Sequence, residues 1–112
     1  MNIVKTDVKL SVILPVYNKQ NSIRLVAALL RRIIEEELKI QDYEIIYVDD
    51  CSNDMSLEIL NELANSKNIV LRHQKNQGQL KAIQTGLKAA TGQVFAIYSC
   101  DMQNSFETRV PL

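Results

Sequence analysis

The amino-acid sequence predicts an α/β fold in which a parallel sheet is covered by helices on both faces. Short runs of aliphatic and β-branched residues alternate with longer segments whose apolar residues recur every three or four positions. The short runs are typical of buried parallel strands, and the three-and-four spacing is typical of amphipathic helices. The alternation gives the order βαβαβαβ, a Rossmann-like arrangement joined by right-handed crossovers.

The first half of the chain supplies two strands and one helix. The first strand, Leu10–Leu14, is an apolar run that ends at Pro15. An amphipathic helix follows from Ser22, which can act as its N-cap, and its apolar face extends to Ile34. The second strand, Tyr43–Val48, is rich in β-branched and aromatic residues and stops at two aspartates.

The second half repeats this alternation. Ser52 or Asp54 can cap a second helix, which presents leucines on one face. The run Ile69–Leu71 is a short third strand, and a third helix opens at Gly78. The apolar run Val94–Tyr98 predicts a fourth, buried strand.

Composition and charge exclude several classes of protein. The 13 basic and 13 acidic side chains cancel, so no basic surface for nucleic acid or anionic lipid is expected. The apolar run Val26–Leu30 is far shorter than the ~20 residues of a membrane span. Charges interrupt Met1–Leu10, so no secretory signal is predicted, and a cytoplasmic protein with Cys51 and Cys100 as free thiols is expected.

Polar residues follow the first, second and fourth strands. In open parallel sheets, ligands bind beyond the carboxyl ends of the strands. The adjacent carboxylates of Asp49 and Asp50 repel unless a cation, a ligand or backbone amides meet them, or they cap the next helix. Asp101 and Gln103 alternate, so on an extended segment their oxygens project to one side, as Mg²⁺ or Mn²⁺ would require together with water and phosphate oxygens.

A further turn precedes the third helix. The glycine of Asn76–Gly78 can adopt positive φ, and the following helix N-terminus can face an anion. Lys75 and Lys81 are candidates for neutralising phosphate, whereas His73 is expected at the surface near a strand end. Gly86 is expected where the helix packs closely.

Four segments in this order resemble a known family. The segments are Ser11–Asn18, Val48–Asp54, Asn76–Gly92 and Asp101–Gln103. They are similar to the inverting family-2 glycosyltransferases with the GT-A fold, and the last is most similar to the branch that transfers sugars to polyprenyl or dolichyl phosphate. The chain departs from the common pattern at Lys19, where relatives commonly carry a carboxylate, and at Ser99, where many carry Asp.

The resemblance implies the strand order 3-2-1-4 and a set of site residues. Asp101 and Gln103 would hold a divalent metal, Mg²⁺ or Mn²⁺, and Asp101 would take part in catalysis through it. Sugar transfer would proceed with inversion at the anomeric carbon. The nucleotide-sugar would be bound by Pro15, Tyr17, Asn18, Asp49, Asp50, Ser52, Asn76, Gly78 and Lys81.

The resemblance also implies the partners. The donor would be a UDP- or GDP-sugar and the acceptor a polyprenyl phosphate or a glycan, used at the cytoplasmic face of the membrane. Residues 1–112 would form a single domain, the N-terminal donor-binding portion of a truncated GT-A domain, with little turnover alone. The fourth strand would leave an open sheet edge that invites self-association.

Two other classes of protein share this fold. A dinucleotide-binding Rossmann domain needs glycines in its first strand-to-helix turn, and Pro15–Gln20 contains none. A non-catalytic interaction module would explain Lys19 and Ser99, whereas the retained aspartates oppose it.

Overall fold

A computed structural model describes residues 8–100 of the chain. Strands and helices alternate as predicted. The elements are β1 (Leu10–Val16), α1 (Ile23–Arg32), a π-helical turn (Ile33–Glu37), β2 (Tyr43–Asp49), α2 (Ser56–Leu63), β3 (Asn68–Arg72), α3 (Gln79–Ala89) and β4 (Val94–Ile97).

The four strands form one parallel sheet in the order β3-β2-β1-β4. β1 pairs with β2 from Leu10↔Tyr43 to Val16↔Asp49, and on its other side it pairs with the shorter β4. The predicted strand order is therefore confirmed. β1 and β2 are the central strands, and their carboxyl ends lie side by side.

The two faces of the sheet carry separate cores. On one face, Val12, Leu14 and Val16 pack with apolar residues of α1 and α2. On the other, Ile13 contacts Gly86 of α3, and Val48 packs against the same helix. The prediction of helices on both faces is confirmed, and the alternation of side chains along each strand explains the division.

The predicted helix caps are partly wrong. Ser22 occupies the N-cap position of α1, but its side chain makes no capping hydrogen bond. α2 begins at Ser56, whose backbone N–H donates to Oδ1 of Asp54 at 2.8 Å, so Asp54 does serve this helix start. Ser52 instead bonds a neighbouring loop through its hydroxyl.

β4 is exposed, although its apolar sequence predicts a buried strand. Val94, Phe95 and Ile97 are 48%, 52% and 52% exposed. β4 is the edge strand, and within residues 8–100 no element covers its outer side, so the apolar run alone did not determine burial. Self-association through this edge stays a prediction.

A buried carboxylate anchors the connection that leads into β4. Glu44 accepts hydrogen bonds from the hydroxyl of Ser11 and from the backbone N–H of Thr91, each at 2.7 Å. Burial acts to raise the pKa of Glu44, but these hydrogen bonds and the nearby Lys9 hold it below its usual value. Gly92 passes so close to β1 that a Cβ would lie 2.6 Å from Oγ of Ser11.

Two further expectations concern cysteines and membrane spans. Cys51 and Cys100 are free thiols, as predicted. Over residues 8–100, no helix is both long and apolar enough to cross a membrane.

The close approach of α3 to β1 is testable by Gly86→Ala. The new Cβ would lie 2.7 Å from Cγ2 of Ile13, which is fully buried. Overpacking costs about 1–3 kcal/mol, and the upper half of this range applies because the buried Ile13 side chain has no room to move; a gain of about 1 kcal/mol in helix propensity then leaves a net loss of about 1–2 kcal/mol in the free energy of unfolding. Urea denaturation measures this. Gln84→Ala, on an exposed position of the same helix, is the control and should leave the stability unchanged. Equal stability of the two variants would contradict the close approach of α3 to β1.

Candidate functional site

A cleft of about 610 Å³ opens at the carboxyl ends of the strands. The connections after β1, β2 and β4 form its walls together with the start of α3, which is where ligands bind in open parallel sheets. The described lining consists of Pro15, Val16, Tyr17, Lys19, Asp50, Asn76, Gly78, Gln79, Ala82, Ser99 and Cys100.

Sequence reasoning identified part of this lining. Of the nine residues expected to bind a nucleotide-sugar, Pro15, Tyr17, Asp50, Asn76 and Gly78 lie in it. The other four lie outside it, and they are Asn18, Asp49, Ser52 and Lys81. The expected metal ligands, Asp101 and Gln103, lie outside the described residues.

The structure separates the two adjacent aspartates. Successive side chains of a strand point to opposite faces, so Asp49 turns toward α2 and Asp50 toward α3. Oδ2 of Asp49 accepts the backbone N–H of Ser52 at 3.1 Å and lies 3.9 Å from Nε of Arg72. Of the two carboxylates, Asp50 lies in the described lining of the cleft, and Asp49 is fully buried outside it.

Asp50 is the centre of a buried network. Its Oδ1 lies 2.8 Å from Nδ1 of His73 and accepts the backbone N–H of Gln77 at 2.9 Å, while Oδ2 accepts that of Gly78 at 2.8 Å. Burial acts to raise the pKa of Asp50, but the hydrogen bonds from His73 and both amides hold it below its usual value. Asp50 therefore fixes the turn before α3, not the start of α2.

The expectation that His73 lies at the surface is wrong. Its side chain is 7% exposed, and its Nε2 lies 2.8 Å from Oγ1 of Thr85 on α3. An ionised carboxylate only accepts, so Nδ1–H of His73 donates to Asp50, and Nε2 forms the hydrogen bond with the Thr85 hydroxyl. The signal was present in the sequence, because Ile69, Leu71 and His73 alternate and share the α3 face of the sheet.

The turn before α3 has the predicted backbone geometry. Gly78 has φ of +98°, the left-handed region that its sequence position suggested. No side chain caps α3, and its first turn contains no acidic residue. The carboxylate at this helix end comes from another element, because Oδ2 of Asp50 accepts the N–H of the N-cap residue Gly78.

The loops after β1 and β2 are joined to each other. The backbone N–H of Asn18 donates to Oγ of Ser52 at 2.9 Å, and Oδ1 of Asn18 accepts the N–H of Asn53 at 2.9 Å. The N–H of Lys19 donates to Oγ of Ser56 at 2.8 Å. Asn18 and Ser52 thus hold the loop that presents Tyr17 and Lys19 to the cleft.

Six of the eleven described lining residues were not predicted as site residues, and two of these six, Lys19 and Cys100, carry titratable groups. Lys19 lines the cleft, although in the sequence it was identified only as a departure from the common family pattern. Cys100 is buried, which raises the pKa of its thiol to about 11, while the positive charge of Lys19 acts in the opposite direction. Lys81 is exposed on α3, away from the described lining.

An open parallel sheet with a polar cleft at the carboxyl ends of its central strands is the arrangement of the α/β proteins that bind ligands at this edge. The family of such proteins follows from the sequence. The model of the family described as glycosyl transferase family 2 matches residues 11–111. The chain belongs to this family, and its sheet order and helices are those of the GT-A fold.

The curated relatives include two proteins that are both called undecaprenyl-phosphate 4-deoxy-4-formamido-L-arabinose transferase. The protein from Proteus mirabilis (strain HI4320) is 38% identical over 100 residues, and that from Yersinia pestis (strain Pestoides F) is 38% identical over 99. Each match covers 86% of this chain and 30% of the relative. The chain therefore spans less than a third of the length of these relatives.

Solved structures show the same fold. The mannosyltransferase PcManGT from Pyrobaculum calidifontis, in complex with GDP-Man and Mn²⁺, is 25% identical with a TM-score of 0.66, covering 82% of this chain and 27% of that one. S. aureus TarS 1–349 in complex with UDP is 29% identical with a TM-score of 0.68, covering 83% and 27%.

The network around Asp50 predicts an acid-sensitive stability. A carboxyl whose pKa is lowered on folding stabilises the fold above its unfolded value of about 3.9, and this stabilisation is lost as the pH falls through the lower folded value. Asp50→Asn would place an NH₂ group against backbone donors. We expect it to lower the free energy of unfolding at pH 7 by about 2–4 kcal/mol and to make the loss of stability below about pH 4 shallower.

Urea denaturation at several pH values between about 2 and 7, the range in which carboxyls titrate, measures both effects. Asp42→Asn is the matched control, because Asp42 is exposed just before β2. An acid limb equally steep in wild type and Asp50→Asn would contradict the assigned role of Asp50.

Proposed function

We propose that the protein is a glycosyltransferase that binds a nucleotide-sugar in the cleft and transfers the sugar to an acceptor with inversion. The observation that carries the proposal is the cleft itself. In a chain that belongs to glycosyl transferase family 2, five of the nine residues that the family resemblance marks as nucleotide-binding line this cleft at the carboxyl ends of the central strands.

The donor would lie across the cleft from β1 to α3. Tyr17 is 42% exposed there, which leaves its ring free to stack on a base, and Pro15 and Asp50 would complete the pocket for base and ribose. The diphosphate would lie toward Asn76 and Gly78 at the start of α3. Asn18, Asp49 and Ser52 would contribute by holding the two loops in place.

The donor class is proposed as a UDP- or GDP-sugar. A mannosyltransferase of similar fold is described with GDP-Man and Mn²⁺, and TarS with UDP. Lys81, exposed on α3, would reach the diphosphate only through its long side chain.

A divalent cation, Mg²⁺ or Mn²⁺, is part of the proposal. Among residues 8–100, no group of three or more His, Cys, Asp or Glu side chains is placed to hold a metal. Asp101 and Gln103, which follow the cleft residue Cys100, would be the ligands, with Asp101 as the residue that links the metal to catalysis. When bound, the cation would neutralise the departing nucleoside diphosphate.

The acceptor is proposed to be a polyprenyl phosphate, with a glycan as the other candidate. The relatives that are 38% identical are called undecaprenyl-phosphate transferases. Such an acceptor would place the reaction at the cytoplasmic face of the membrane. Residues 1–112 would be a single domain that forms the donor-binding portion and has little turnover alone, since the match covers only 30% of the relative.

Isothermal titration calorimetry with UDP, GDP and NAD tests the donor site. We expect UDP or GDP to bind, and Mg²⁺ or Mn²⁺ to strengthen binding at least about tenfold, or ~1.4 kcal/mol. Asp101→Ala should remove this metal-dependent gain, because it removes the proposed carboxylate ligand. Glu58→Ala, on an exposed position of α2, is the control and should retain the gain.

Other outcomes would overturn the proposal. Tight binding of NAD without UDP or GDP would favour the dinucleotide-binding class. No binding of any nucleotide, with or without metal, would favour an interaction module that kept the fold and lost the enzyme.

A further inference from the structure

The two charged side chains in the described lining of the cleft differ in their hydrogen-bond partners. Lys19 and Asp50 are its charged residues. Asp50 is surrounded by donors, whereas within residues 8–100 the ammonium group of Lys19 makes no hydrogen bond or ion pair with another side chain. Among the described residues, Lys19 therefore contributes a positive charge without a paired carboxylate at the ligand edge of the sheet.

The backbone below Lys19 is fixed. Its N–H donates to Oγ of Ser56, which is fully buried, and its carbonyl accepts the N–H groups of Ser22 and Ile23 at 2.9 and 3.1 Å. Only the side chain of Lys19 is left to move. Its four-carbon stem can therefore follow a ligand while the backbone stays in place. A residue with this backbone role and no side-chain partner is suited to bind a ligand.

Asp50 does not cancel this charge for a ligand. The backbone N–H groups of Gln77 and Gly78 and the ring of His73 occupy its oxygens from the side of α3. Asp50 keeps its negative charge but forms no ion pair with Lys19 within residues 8–100, so the Lys19 ammonium is left available to an anion in the cleft.

We propose that Lys19 binds the diphosphate of the donor and supplies affinity for it that does not require the divalent cation. This inference rests on the proposed function, because it assigns the anion-binding residue of the same cleft. A lysine suits this task, because a compact charge with three donors can contact phosphate oxygens in several geometries.

The test compares Lys19→Gln, Lys19→Arg and Lys88→Gln by isothermal titration calorimetry. Lys88→Gln is the matched control, since Lys88 lies exposed in the last turn of α3 and loses the same charge. The probes are UDP, GDP, inorganic pyrophosphate and uridine, each in excess EDTA and in Mg²⁺. Because the side chain of Lys19 has no partner within the described residues, its variants should fold, and urea denaturation confirms this.

In EDTA we expect Lys19→Gln to weaken the binding of UDP or GDP and of pyrophosphate about tenfold, the size of one charge-assisted hydrogen bond. Lys19→Arg should retain most of the affinity, Lys88→Gln should match wild type, and uridine should bind all four proteins equally. Weaker binding of uridine by Lys19→Gln would overturn the inference, because it would place Lys19 at the base.

Failure of this inference is distinguishable from failure of the proposed function. If wild type binds UDP or GDP and Lys19→Gln binds them and pyrophosphate equally well, the inference is wrong and the donor site stands. If wild type binds pyrophosphate through Lys19 but neither nucleotide, the anion site stands and the donor proposal fails. If wild type binds none of these anions, both are overturned.

Discussion

The hydrogen bonds that Asp50 accepts hold the site together. This carboxylate stands at the carboxyl end of β2 and receives donors from the end of β3 and from the turn before α3. Three parts of the chain that are distant in sequence therefore meet at one buried charge. Removing a carboxylate from water costs free energy, and the hydrogen bonds from all its donors are needed to offset this cost. The geometry of the cleft wall and the stability of the fold thus depend on the same contacts.

The alternation of side chains along a strand explains why neighbouring residues of one motif have different roles. Asp49 and Asp50 are adjacent in sequence but face different helices, because a strand turns each successive side chain over. Asn18 similarly bonds the loop of Ser52, while Tyr17 beside it lines the cleft. A short polar motif after a strand therefore contains both ligand-facing and loop-holding residues. The two kinds differ in what their loss affects: ligand affinity in one case, loop position and stability in the other.

Much of the fold could be predicted, because its signals are local. The spacing of apolar residues predicted the strands and helices, and Gly78 indicated a turn with positive φ. The exposure of β4 could not be predicted from its apolar run, because burial depends on which element lies beyond a strand. The buried position of His73 had a usable signal in the alternation of β3, but its partner Thr85 lies on another element. Side-chain partners across elements were the part that local patterns did not supply.

A chain with zero net charge can still present a positive site to an anion. Asp50 accepts hydrogen bonds within the protein and forms no ion pair with Lys19, while Oδ1 of Asp49 is buried without a hydrogen-bond partner among residues 8–100. Among the same residues, the ammonium group of Lys19 has no side-chain partner. The field that a ligand meets is set by which charges remain uncompensated at one edge of the sheet. For this reason the total count of charges does not by itself decide whether the cleft can bind a diphosphate.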